Sequence, residues 1–211
     1  GAPRRRRRPH CRCRCSLTFS AIPQNNSTNV LGLEPVRRGE HLYNLLNANG
    51  VPWIYAWSPS LVPKPHDWPA NAEVVGNMFL NGAENAPWEP PPALEAFLAA
   101  GEAPVFVGFG SMIVEDPDAL STIICEAAER TGRRVVLQSS WSNLRKGNHR
   151  KSCADDGVFH LAAAPHYWLF PRMAAVVHHG GAGTVAAGLR AGKPTLVCPF
   201  FGDQFFWGNA V

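Results

Sequence analysis

A chain of 211 residues is long enough for one large domain or one and a half small ones, and its 45% hydrophobic content is ordinary for a globular protein. The formal charge of +4 misleads, because Arg4–Arg8, Arg12 and Arg14 hold seven of the 20 basic residues, leaving 13 to face all 16 acidic ones. A nucleic-acid surface would rest on that arginine head alone, no apolar run reaches the length of a membrane span, and no signal-peptide core follows the arginines.

Residues 1–30 read as a disordered basic leader: the arginines repel one another, and Gln24–Asn29 is polar without periodicity. RNA binding or nuclear targeting through Arg4–Arg8 is the alternative for this stretch. Cys11, Cys13 and Cys15 lack the two-residue gap of a zinc knuckle, so no metal is expected there. Within a second segment, 31–72, the pattern predicts a helix over Glu40–Ala48 and a strand over Val51–Trp57. Three prolines then make Ser58–Trp68 an extended loop. The third segment, 73–211, begins within a short strand at Ala72–Val75 and carries a loop over Asn81–Pro92 and a helix over Ala93–Ala100.

From Pro104 onward the pattern is regular. Strands are predicted at Val105–Phe109, Arg134–Gln138, Phe159–Leu161, Ala174–Val177 and Pro194–Cys198, with helices over Asp118–Thr131 and Thr184–Ala191. Tyr167–Pro171 reads as a turn or short helix. Continuous apolar strands alternating with helices imply an α/β fold, a Rossmann-like parallel sheet with helices on both faces. Cys125 and Cys198 lie in apolar surroundings and, with Cys153, are expected as free thiols.

Two glycine turns carry the chemistry. His178-His179-Gly180-Gly181-Ala182-Gly183-Thr184 follows one apolar strand and opens a helix, the arrangement that delivers backbone N–H groups to an anion. Gly180, Gly181 and Gly183 permit positive φ, Thr184 can cap the helix and donate to a phosphate oxygen, and His178 can donate in either protonation state. No GK[ST] follows, and the GxGxxG spacing is absent, so neither a Walker A loop nor a dinucleotide fingerprint is present. Gly108–Ser111 is a second such turn, and two turns ending strands of one sheet face the same crevice. Asp203 and Gln204 combine acceptors with donors in a way that suits sugar hydroxyls. They lie in a patch formed by Phe200, Phe201, Phe205, Phe206 and Trp207. No catalytic triad is assignable from spacing.

HHGGAGTVAAGLRAGKPTLVCPFFGDQFFWG at 178–208 resembles the nucleotide-sugar signature of family 1 glycosyltransferases, and within them the fungal UDP-glucose:sterol 3-β-glucosyltransferases. YAWSPSLVPKPHDWP (55–69), PVFVGFGSM (104–112) and PHYWLFPRMAAVVHHGG (165–181) carry the same likeness. The resemblance implies the C-terminal half of a GT-B fold, truncated at its C-terminus. Residues 73–211 would then be an incomplete donor-binding domain, and 31–72 the remnant of an acceptor domain with its linker. It implies His178 on the diphosphate, Gly180, Gly181, Ala182, Gly183 and Thr184 presenting the turn and helix start, and Ser111 at a phosphate or the ribose. Asp203 and Gln204 would meet the glucose hydroxyls, and Pro165 and His166 the nucleoside.

No catalytic residue is expected in this chain, the general-base histidine belonging to the N-terminal domain, and no cofactor or metal beyond the donor UDP-glucose. The implied reaction is glucose transfer to a sterol 3-hydroxyl with inversion, with another lipid or small hydrophobic acceptor as the alternative. A non-catalytic binding or structural fragment is the further alternative, and the isolated chain is expected to bind the UDP-sugar at best, with no turnover. A cytoplasmic location is expected, with no nucleic-acid partner and with peripheral membrane contact only through other regions of a complete protein. Tyr167 and Phe205 depart from the family pattern, which has Asp and Pro there.

Overall fold

A computed structural model of the chain describes residues 48, 50–79, 88–138 and 157–211. The chain divides into two units, 1–51 and 52–211, and the strands among the described residues lie in the second. The arginine leader, most of the helix predicted over Glu40–Ala48, and Cys153 lie outside the described residues.

Two short strands, β1 (Trp53–Tyr55) and β2 (Ala72–Val74), pair in parallel with Trp53 opposite Ala72. β1 is shorter than the apolar run predicts. Pro52 has no N–H to give a ladder, and after Trp57 the backbone folds into turns at Ser58. Helix α1 (Pro92–Ala99) starts on a proline, whose fixed φ suits a first helical turn. β3 (Val105–Gly108) then leads to α2 (Pro117–Thr131). Asp116 caps α2 by accepting from the Ala119 N–H at 2.9 Å, and Gly132 closes it in the left-handed region. β4 (Val135–Gln138) and β5 (Val158–Leu161) follow. Next come α3 (His166–Leu169), a 3-10 turn (Phe170–Arg172) and β6 (Ala175–His178). α4 (Ala182–Arg190), β7 (Thr195–Val197) and α5 (Gln204–Ala210) are the last elements.

Strands β3 to β7 form one parallel sheet in the order β5-β4-β3-β6-β7. Because strand side chains alternate, the sheet has two apolar faces. Phe106, Val136, Leu161 and Val176 pack on one side with Leu94 of α1, Leu169 of α3, Phe170 and Met173, and Ala187 of α4 and its C-cap Ala191 join them. Val107, Val135 and Leu137 pack on the other with Ile124 and Ala128 of α2. Helices therefore cover both faces, as the continuous apolar strands imply. Each fully buried Val, Leu or Phe contributes roughly 1.5–3 kcal/mol of transfer free energy, and these two clusters fix the sheet whose ends form the platform for the site.

The order of strands has one functional consequence. The chain builds outward from β3 through β4 to β5, then returns to β6 on the opposite side of β3. Such a reversal opens a crevice beyond the carboxyl ends of the two diverging strands. Gly108 and His178, the last residues of β3 and β6, are register partners, so the two glycine turns leave the sheet side by side.

Three expectations need correction. α4 starts at Ala182 rather than Thr184, with Gly181 as its N-cap, so Thr184 lies inside the first turn and caps nothing. Of the three glycines expected to use positive φ in that turn, Gly180 alone does (φ 95°), because Gly181 is extended and Gly183 is helical. Cys125 is disulfide-bonded rather than a buried free thiol, whereas Cys198 is free, with burial raising its pKa.

Candidate functional site

The turn after β6 is built around His178. Its side chain lies on the same face as that of Val176, two residues earlier, and is 0% exposed. The Gly180 N–H folds back and donates to His178 Nδ1 at 3.0 Å. Only a glycine fits there: φ at Gly180 is 95°, and a Cβ would sit 2.6 Å from Val197 Cγ1 and 3.1 Å from the Gln204 carbonyl oxygen. Since Nδ1 accepts, a neutral ring carries its proton on Nε2. That buried N–H finds no hydrogen-bond partner among the described residues. Desolvation, reinforced by His179 and then His166, pushes the His178 pKa down to about 4, so the imidazole is a neutral donor at physiological pH.

Beside it, α4 opens without a side-chain cap. The Thr184 and Val185 N–H groups return to the Gly181 carbonyl, while those of Ala182 and Gly183 precede any intrahelical acceptor. These donors and the positive end of the helix dipole make a seat for an anion.

The second glycine turn closes on the first. Gly110 takes φ 57°, letting Met112 N–H donate to the Phe109 carbonyl at 3.1 Å and leaving Ser111 exposed at the tip. His179 fills the gap between the turns: its ring lies 3.0 Å from where a Gly110 Cβ would stand and 2.6 Å from where one on Gly181 would. The Asp203 carboxylate faces it electrostatically and raises its pKa, but desolvation outweighs that and leaves it lowered. Sequence reasoning assigned His178 a role and passed over His179. The signal was available in principle, since the residue after an inward-facing strand end must turn into the loop.

The third wall is the segment after β7. Cys198 N–H donates to the His178 carbonyl at 2.8 Å, which ties this segment to the β6 turn. Gln204 is buried, its Oε1 accepts from the Phe200 and Phe201 N–H groups at 2.7 and 3.2 Å, and its Nε2 lies 3.3 Å from Met112 Sδ. Phe109 and Phe200 meet edge to face at 5.5 Å. The two residues singled out as a pair thus differ: Gln204 holds the loop together, and Asp203 stands exposed at its tip. His166, next to Pro165 at the start of α3, stacks on Phe170 at 4.3 Å, and burial followed by the His179 charge lowers its pKa. Tyr167 and Phe205, the departures from the family pattern, are 46% and 53% exposed and leave the core untouched. Ser111, Pro165, His166, His178, Gly180–Thr184, Asp203 and Gln204 therefore gather at one edge of one sheet.

The family model for UDP-glucoronosyl and UDP-glucosyl transferase matches residues 53–210. The chain belongs to this family. A sterol 3-beta-glucosyltransferase of Arabidopsis thaliana is 48% identical over 165 residues, which is 78% of this chain and 25% of that protein. One from Aspergillus clavatus is 42% identical over 174 residues, 79% of this chain and 12% of that protein. The chain therefore spans a quarter or less of these relatives. Among solved structures, Phytolacca americana UGT2, complexed with UDP-2fluoro-glucose and pterostilbene, superimposes with a TM-score of 0.57 at 16% identity. The match covers 74% of this chain and 37% of that one, and shows a shared GT-B-type α/β fold.

Proposed function

We propose that these residues form the donor half of a UDP-glucose-dependent sterol glucosyltransferase. The observation that carries the reading is the His178 Nε2–H, a fully buried donor without a partner among the described residues, in a turn that opens an uncapped helix. Leaving such a donor unsatisfied costs about 1–3 kcal/mol, which a diphosphate oxygen placed there would recover. In this reading Ala182 and Gly183 offer backbone N–H groups to the same diphosphate, with Thr184 in the same helical turn. Ser111 meets a phosphate or the ribose from the facing turn, Pro165 and His166 border the nucleoside, and Asp203 accepts from the hexose hydroxyls while Gln204 fixes its loop.

The reaction is an inverting displacement: an acceptor hydroxyl attacks the anomeric carbon, its proton passes to a base outside this sheet, and UDP departs. Negative charge grows on the leaving diphosphate, and preorganised dipoles that face it lower the barrier without rearrangement. A neutral His178 suits this task, because it donates without needing a proton from solvent. The donor is a substrate, and neither metal nor other cofactor enters the proposal. The sterol 3-hydroxyl as acceptor is supported by the relatives at 48% and 42% identity.

Calorimetric titration with UDP and UDP-glucose tests the donor site. His178→Ala is expected to weaken both ligands about tenfold or more, and Asp203→Ala to weaken UDP-glucose selectively, each at the scale of one hydrogen bond to a charged group. Unchanged binding in both variants refutes the site.

A further inference from the structure

We infer that Trp207 is a positioning residue for the hexose-facing carboxylate of Asp203, and that the aromatic cluster of residues 55–68 holds Trp207 in place. The inference rests on the donor reading above. Asp203 is the N-cap of α5, where an aspartate ordinarily bonds the first free N–H groups of its helix. Here it makes no such cap. Its backbone is already helical, and its Oδ2 accepts instead from the Trp207 indole N–H at 2.9 Å, one turn along. One carboxylate oxygen is thereby anchored, and the rotamer that presents the other to the crevice is selected.

Trp207 is itself fixed from outside the donor turns. It is 6% exposed, and Trp57 meets it edge to face at 5.8 Å. Trp57 donates from its own indole to the Val62 carbonyl at 3.0 Å. Tyr55 packs against Trp57 at 4.8 Å and against Trp68 at 4.2 Å. Phe206 completes the setting at 5.0 Å from Trp207. A series of tilted and edge-to-face aromatic contacts thus runs from the end of β1 to Trp207, and the chain before the donor sheet reaches the sugar position through it. The indole N–H matters more than the bulk of the ring, since a carboxylate held by a directed bond has a defined geometry and a merely packed one does not.

The test titrates UDP and UDP-glucose separately into the wild-type chain, Trp207→Phe, Asp203→Asn and the double variant. Phenylalanine keeps a ring against Trp57 and removes the donor. The UDP-glucose dissociation constant of Trp207→Phe is expected to rise about tenfold while that for UDP changes less than about twofold. Once Asp203 is asparagine, the same substitution is expected to add little. Equal losses for both ligands, no loss for either, or a full additional loss in the double variant overturns the inference. Should Trp207→Phe fail to fold, the wild-type indole N–H resonance of Trp207 decides: it must shift with UDP-glucose and hold still with UDP. A response to both alike, or to neither, overturns it. If the wild-type chain binds no UDP, the donor reading itself falls, a result distinct from all of these.

Discussion

Acidification from pH 7 to 5 probes the buried histidine directly. His178 is 0% exposed, with a pKa of about 4 in the folded chain against 6.5 for the exposed side chain. Between those values the unfolded chain takes up a proton that the folded one refuses. Stability from this group is therefore complete above about pH 6.5 and is lost progressively as the pH falls toward 4. For these two pKa values the loss between pH 7 and 5 is about 2 kcal/mol. His166 and His179, also lowered by burial, add losses of the same sign, so the wild-type slope alone does not isolate His178. His178→Gln does. Its amide reaches the place of Nε2 and can still donate there, and it does not titrate. Urea unfolding of both proteins at pH 7 and 5 is expected to show a pH-dependent loss about 2 kcal/mol larger in the wild type. Losses that agree within about 0.3 kcal/mol would refute the argument that His178 is held neutral in the fold.

Gly180→Ala is expected to destabilise by about 2–4 kcal/mol and to abolish UDP binding, read by thermal melting and titration, because the new Cβ meets both strain at φ 95° and the Val197 side chain. Phe106→Ala, at a site 1% exposed between β3 and the α3 side, should cost about 3–5 kcal/mol in urea unfolding at pH 7. Gln204→Ala removes the acceptor of the Phe200 and Phe201 N–H groups, so both amides should exchange hydrogen faster and stability should drop by about 1–3 kcal/mol.

Much of the fold was legible locally. Apolar runs such as Val105–Val107 and Val135–Leu137, separated by an amphipathic helix with Asp116-Pro117 at its start and Gly132 at its end, specify β-α-β without outside help. The glycine turn was equally plain, and the likeness of 178–208 to a nucleotide-sugar signature pointed to the ligand class proposed for it. Boundaries slipped where a single residue's dihedral decides them, as at Gly181 and Thr184.

Tertiary structure decided what no short stretch encodes. Strand order arises from pairing between distant segments, and it is the placement of β6 beside β3 that puts Gly108 opposite His178 and makes one crevice of two turns. The charge state of His178 depends on burial and on two other histidines, one of them brought in from α3. Gln204 and Asp203, neighbours of similar polarity, part company because one points into the packed loop and the other meets an indole one helical turn away. Residue types and their periodicity are properties of the chain; solvent exclusion and hydrogen-bond partnership are properties of the assembled sheet, and the chemistry of this site follows from the latter.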